Sequence, residues 1–344
     1  MMAIRDDEFS LSRLKAKHWS VLAVAVVLAG VGIWQSILPY LAERHYRDGF
    51  NFDAGNRFKY AVEELELAVE YAPWETQYIM ALGKAYEGLA DQTTDIPVKL
   101  EYLNKALNLY FRTIDLDVMN PWQHNRVAAV YMIMADLIPS QRAEYTQKSE
   151  AAIRRAADYD HKNPLFQLNL AYYLHRSNRF DEARKYYELV LSMDPNILEA
   201  KYNLADIDRR EGHLDKTLKG YLEIYAINKD FSNINIAISG TYIQLGQVAE
   251  AVPYMEDEVK RRPDFVDGLK TLISMYQTLG NYSRVTELYY QLIMLNPGSK
   301  EYYGPFAAAA KASGKRAETL AALQQFKVAN PNAQVLDELI ALLK

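Results

Sequence analysis

The residues of this chain that could do chemistry are spaced for gripping another molecule, not for transforming one. Arg126, Asn169, Tyr172, His175, Arg176, Tyr202, Asn203, Asp206, Arg209 and Arg210 are the candidate contact residues, and four of them, Asn169, Tyr172, His175 and Arg176, have Asn203, Asp206, Arg209 and Arg210 as counterparts 34 residues on. Arginine and the aromatics are the side chains that anchor protein interfaces. An asparagine amide both donates and accepts, so Asn169 and Asn203, 34 residues apart, are two rungs that could hold a peptide backbone. The plainer reading is also open: Arg176, Arg209 and Arg210 would then be solvated helix ends, and asparagine an ordinary occupant of its position. Catalytic patterns are missing. Histidines 18, 45, 124, 161, 175 and 213 include no pair at the spacing of three to five that a metal site on one helix uses. No glycine-rich phosphate loop, Gly-x-Ser-x-Gly elbow or zincin motif is present. The expectation is therefore no enzyme, no cofactor, no metal and no small-molecule substrate.

The elements that must position these residues show in a period. Gly212, Gly246, Gly280 and Gly314 stand 34 residues apart, and Pro195, Pro263, Pro297 and Pro331 keep the same phase. Between them lies a helix-turn-helix pattern. A small residue (Ala171, Ala205, Ser239, Ala307) lets two helices approach, glycine or Asn178 makes the left-handed turn after the first helix, and proline follows the second. Gly49, Asn56, Ala61 and Pro73 fit an upstream unit, Gly83, Tyr86, Ala106 and Pro121 a second, and Ala128, Tyr131 and Ala152 a third. Insertions fall around Asp91 to Val98 and Leu137 to Tyr145. Carried through the chain, the pattern predicts an all-α fold of about eight helix pairs over residues 42–331. The apolar spacing of Leu336, Leu339, Ile340 and Leu343 predicts a final capping helix over 332–344.

Ahead of the repeats, Trp19 to Leu41 carries no charge, long enough for a helix to cross a bilayer. Trp19, Trp34 and Tyr40 stand near its ends like interfacial anchors. The run exceeds the apolar core of a cleaved signal peptide, and no clear small-x-small site follows it. Residues 1–18 then form a tail and 19–41 a signal-anchor span. Arg5, Arg13, Lys15 and Lys17 precede the span, placing the N-terminus in the cytoplasm and the repeats outside. With no Gly/Ser linker before Ala42, the repeats join the span directly, and Pro39 is the expected bend.

Composition agrees with a binding role. The chain of 344 residues has 39 basic and 44 acidic residues, a formal charge of −5, which argues against a general nucleic-acid binder. Cysteine is absent, excluding a disulfide framework and thiolate metal sites.

The repeat pattern resembles the tetratricopeptide repeat (TPR) family, whose fold is a right-handed α-solenoid with the first helices of the units lining a groove. That resemblance places the ten residues above in a protein-binding groove. The chaperone-type carboxylate clamp of that family is not matched. A narrower resemblance lies in Ala72-Pro73-Trp74-Glu75-Thr76-Gln77-Tyr78, Leu82-Gly83-Lys84-Ala85-Tyr86, Asn120-Pro121 and Arg126-Val127-Ala128-Ala129-Val130-Tyr131. It is similar to the TPR tail of bacterial O-antigen ligase/polymerase-like membrane proteins, without their polytopic domain. This implies an extracytoplasmic module of the bacterial inner membrane and cell-envelope assembly. The expected function is a membrane-anchored scaffold holding partner proteins. The alternatives are a permanent subunit of a larger membrane machine (secretion, pilus, motor or bioenergetic) and an accessory acting on a glycan polymerase in trans.

Overall fold

The computed structural model describes residues 16–344. Among them the chain is 82% helix, with 17 α-helices and no strand, in the stacked antiparallel alternation that the repeat pattern predicts. It divides into two compact units, one ending at Ser177 and the other running from Asn178 to Lys344. The first holds α1 (Ala16–Ala54), α2 (Phe58–Tyr71), α3 (Thr76–Gln92), α4 (Ile96–Leu116), α5 (Pro121–Leu137), α6 (Arg142–Tyr159) and α7 (Pro164–Arg176). The second holds α8 (Phe180–Met193), α9 (Leu198–Arg210), α10 (Leu214–Ile227), α11 (Ile234–Gln244) and α12 (Val248–Arg261). It continues with α13 (Val266–Thr278), α14 (Tyr282–Leu295), α15 (Tyr303–Ala312), α16 (Arg316–Ala329) and α17 (Gln334–Leu343). Arg5, Arg13 and Lys15, on which the predicted orientation rests in part, lie outside the described residues.

Six of the eight turns after a first helix pass through a left-handed residue; the two that carry the insertions, after α3 and after α5, do not. Asn56, Asn178, Gly212, Gly246, Gly280 and Gly314 all have positive φ. At Gly212 the next amide, His213 N–H, reaches back to the Asp208 carbonyl at 2.8 Å, and the same bond recurs from Gln247 to Tyr242 and from Asn281 to Tyr276. This closes the orphan carbonyls of the helix end. The small-residue positions lie at the contacts between helices. Ala171 and Ser239 are fully buried, and a Cβ built on Gly220 of α10 would come within 3.1 Å of the Ala205 Cβ.

The two insertions lengthen helices more than they make loops. α3 and α4 run 17 and 21 residues, separated by three residues in which the Asp95 side chain caps α4 by accepting from Val98 N–H at 3.3 Å. Pro139–Gln141 form a single 3-10 turn before α6.

α1 is one helix from Ala16 to Ala54 and passes through Pro39 without a break. Its N-terminal part is long and apolar enough to cross a membrane, and the described side chains there are solvent-facing, Trp19, Val24, Leu28, Trp34 and Tyr40 among them. Its C-terminal part is the first helix of the first pair, where Ala42 and Gly49 pack on α2 and the Leu65 side chain stands where a Gly49 Cβ would be. At the other end, α17 buries Leu336, Leu339, Ile340 and Leu343 against Ile293, Tyr303 and Phe306. Such a helix covers the apolar face that a last repeat leaves open.

Candidate functional site

The first helices of the unit ending at Ser177 line two adjoining hollows that share Asn125. One, about 350 Å³, is formed by Tyr46, Phe50 and Asp53 of α1, Gln77, Met80 and Lys84 of α3, and Trp122, Asn125 and Arg126 of α5. The other, about 340 Å³, runs from Asn125, Met132 and Asp136 of α5 to Asn169, Tyr172 and Arg176 of α7. The two adjoin at Asn125, along four successive first helices.

Its floor is held by fixed polar contacts. Gln77 donates to the Tyr46 hydroxyl at 2.8 Å, and the Tyr46 ring stacks on Tyr78 with centroids 4.7 Å apart. Lys84 pairs with Asp53 at 2.8 Å, while the second Asp53 oxygen is buried and unpartnered. Asn169 donates to the Asn125 carbonyl oxygen at 2.9 Å. That bond leaves an amide NH₂ on Asn125 and a carbonyl oxygen on Asn169, the donor and acceptor that a peptide unit complements. Trp122 stands edge-on to Phe166 at 5.0 Å and remains half exposed, as do Phe50 and Tyr172. Arg176 closes the far end by pairing with Asp136 at 2.9 Å. Rigid aromatics held over a few fixed amides are suited to binding, since little side-chain freedom is lost on docking.

Of the ten residues expected in a groove, the structure brings Asn169, Tyr172 and Arg176 together here, with Arg126 at the rim. Arg126 is committed to structure: it pairs with the partly buried Glu87 at 2.7 Å, lies over the Tyr110 ring, and Glu87 also accepts from the Tyr110 hydroxyl. Burial pushes the Glu87 carboxyl up against the opposing pull of Arg126, and burial likewise raises the Tyr110 hydroxyl. His175 is buried and lines neither hollow, because it sits round the helix from Tyr172 toward the core.

The remaining five lie in the second unit, on α9, and engage one another, their own helix or its neighbours. Arg209 and Arg210 both pair with Asp206, at 2.6 and 2.8 Å, and Arg210 also lies over the Phe180 ring. Asn203 donates to the Glu199 carbonyl one turn back. Tyr202 packs on Tyr221 and Phe231, and burial raises its hydroxyl.

Tyr46, Phe50, Gln77, Lys84, Trp122 and Asn125 are groove residues that the sequence reading missed. The signal was available: Phe50, Lys84 and Ala129 hold the position of Tyr172 in their own units, and Asn125 that of Tyr46. They were hidden by the irregular spacing of the upstream repeats.

Asp208, Glu211 and His213 bring three metal-capable atoms within 4.8 Å. Their charge is already matched: Arg184 reaches Asp208 at 2.8 Å and Glu211 at 2.7 Å, and Lys216 reaches Asp208 at 3.0 Å. The cluster ties α8, α9 and α10 together.

Residues 166–197 match the tetratricopeptide repeat family. No curated protein matches the chain. Among solved structures, the TPR protein TTC0263 of Thermus thermophilus is similar at 14% identity and TM-score 0.45, over 59% of this chain and 99% of that one. PilF of Pseudomonas aeruginosa is similar at 15% identity and TM-score 0.48, over 64% and 94%. YrrB, described as a TPR protein with an unusual peptide-binding site, gives 14% identity and TM-score 0.42, over 54% and 95%. At such identity a likeness concerns the fold alone. The narrower resemblance to O-antigen ligase-like proteins finds no counterpart in these comparisons.

Proposed function

We propose, from the tetratricopeptide-repeat match and the groove of the first unit, that this chain is a membrane-anchored scaffold that holds an extended segment of a partner protein. The observation that carries the reading is the groove itself: Phe50, Trp122 and Tyr172 half exposed around the Asn125–Asn169 amide pair, on four helices packed in register. The aromatics would supply the apolar contact, and the amides would fix the backbone of the bound segment. α1 would cross the bilayer with its N-terminus in the cytoplasm, so that the repeats work outside it in a bacterial cell-envelope assembly. The first groove helix is the continuation of the span, so the binding surface would be anchored with no slack between it and the membrane.

The reading is tested by purifying the full chain in mild detergent beside Trp122→Ala and Tyr172→Ala variants and quantifying what each retains. Truncating such anchors weakens binding by about 2 kcal/mol or more, roughly thirtyfold. Unchanged retention by both variants, with helicity intact, would refute the groove.

One feature of the second unit favours the alternative of a permanent subunit. A crevice of about 330 Å³ between α14 and α16 is lined by Tyr290, Phe306, Leu323 and Phe326, and Leu323 is the one buried residue of α16. A partner retained through high salt by that crevice, and lost on Phe326→Ser, would establish the subunit reading.

A further inference from the structure

The edge of the first unit from which α1 leaves carries more exposed apolar surface than a free edge in water should. The register of α1 and α3 shows where that edge lies. Glu43 accepts from the Tyr78 hydroxyl at 2.9 Å, Tyr46 from Gln77 at 2.8 Å and Asp53 from Lys84 at 2.8 Å. The two helices therefore run parallel. Carrying their register back by one turn sets Trp74 level with Pro39–Ala42, where the apolar run of α1 ends. The antiparallel α4 descends to the same edge, because Thr113 lies 3.6 Å from the Met80 sulfur and Arg112 donates to the Pro73 carbonyl. Beyond Thr113 the chain continues downward through Leu116 and turns at Val118 and Met119.

At this edge Trp74 is 59% exposed, Met119 70%, and Leu116 and Val118 about half exposed; Tyr40 on α1, at the same level, is 68% exposed. The charges there are mixed, with Glu75, Asp115 and Asp117 beside Arg44 and Arg112. The edge thus has the aromatic-plus-aliphatic character of a membrane-interface contact, and its charges give no general attraction to anionic headgroups.

We infer that Trp74, Leu116, Val118 and Met119 form a foot that rests in the interfacial layer of the bilayer that α1 crosses. The inference depends on the proposal that α1 is a span. Two contacts, span and foot, fix a body against a plane where one would let it pivot. The foot therefore sets the height and tilt of the groove, whose Trp122 lies on the hollow side, with Phe50 and Lys84.

The test uses the full chain reconstituted in phosphatidylcholine vesicles, then in vesicles whose acyl chains are brominated near the carbonyl end. The chain has four tryptophans, so three variants each retain one of Trp34, Trp74 or Trp122, with phenylalanine at the other three positions. Bromine is expected to quench Trp34 and Trp74 strongly and Trp122, one helical turn beyond Met119 and facing the hollow, more weakly. Quenching of Trp34 without Trp74 would overturn the foot and leave the span standing; quenching of neither would remove both.

A second measurement covers the case in which tryptophan replacement disturbs folding. The chain has no cysteine, so Met119→Cys carries a single nitroxide. A foot in lipid makes that label more accessible to oxygen than to a water-soluble nickel chelate. Preferential nickel access would overturn the proposal, as would shielding from both reagents with dipolar broadening, which would assign the edge to a second copy of the chain. Replacing part of the phosphatidylcholine with phosphatidylglycerol should change neither readout.

Discussion

Gly83→Ala sets two effects of opposite sign against each other, and the structure decides which wins. Alanine is the better helix former, and inside α3 the swap should gain about 1 kcal/mol. Yet a Cβ at residue 83 would lie 2.5 Å from Cε1 and 2.9 Å from Cζ of Tyr110. That ring is fully buried in α4, and its hydroxyl is held by Glu87, which also binds Arg126. It cannot retreat without disturbing its hydrogen bond to the partly buried Glu87 carboxylate. Overpacking of this kind costs about 1–3 kcal/mol, and weakening the hydrogen bond to Glu87 adds roughly 1–2 kcal/mol. The net expectation is a loss of about 1–4 kcal/mol, the sum of those costs less the propensity gain. Gly240→Ala is the control. It is also helical, in α11, but its Cβ would meet nothing within 4 Å, so it should gain about 0.5–1 kcal/mol. The assay is urea unfolding of the full chain in detergent, followed by circular dichroism, with amide hydrogen exchange read separately in α3 and α11. A Gly83→Ala protein as stable as its parent, or no exchange difference confined to α3, would refute the packing argument.

Other outcomes follow from the same kind of reading. Ala205→Leu should push α9 and α10 apart, given the 3.1 Å approach at Gly220, and cost about 1–3 kcal/mol; an unaffected melt would mean that the interface has spare room. Reversing Arg209 and Arg210 to Glu should destabilise the second unit, because both guanidinium groups pair with Asp206; partner loss with an unchanged melt would show that they act in binding instead. Asp257 accepts from Arg261 at 2.5 Å and from Asn235 at 3.0 Å, which holds its carboxyl below the usual range. A depressed folded-state pKa contributes stability that is complete above the unfolded value of about 3.9 and is lost as pH falls through the folded value. The stability difference between the parent and Arg261→Leu should therefore be constant near neutrality and shrink in acid, leaving the part due to the Lys229 carbonyl that Arg261 also binds; a difference that does not shrink at all would refute the pairing. A reporter fused after Lys344 should be active only outside the cytoplasm, and cytoplasmic activity would invert the proposed topology.

The 34-residue recurrence of glycine and proline was enough to determine the repeat architecture, because the constraint it records is local. A positive φ where a first helix ends needs glycine or asparagine, as at six of the eight such turns, and a close helix contact needs a small residue, whatever surrounds them. The apolar run from Trp19 was legible for the same reason, since span length and charge are read along one helix. The face presented by each first helix was only partly legible. Tyr172, Arg176 and Asn169 line one hollow, but His175, in the same turn, belongs to the core. Arg209 and Arg210 looked like free groove cations until Asp206, on the same helix, was seen to hold both. What only the tertiary structure decided is which polar groups already have partners and which hollow adjoins the next. Lys84 with Asp53, Arg126 with Glu87 and Asn169 with Asn125 are separated by 31, 39 and 44 residues. Pairings at such separations depend on how neighbouring helices are offset as they stack, and nothing local to either residue records that offset.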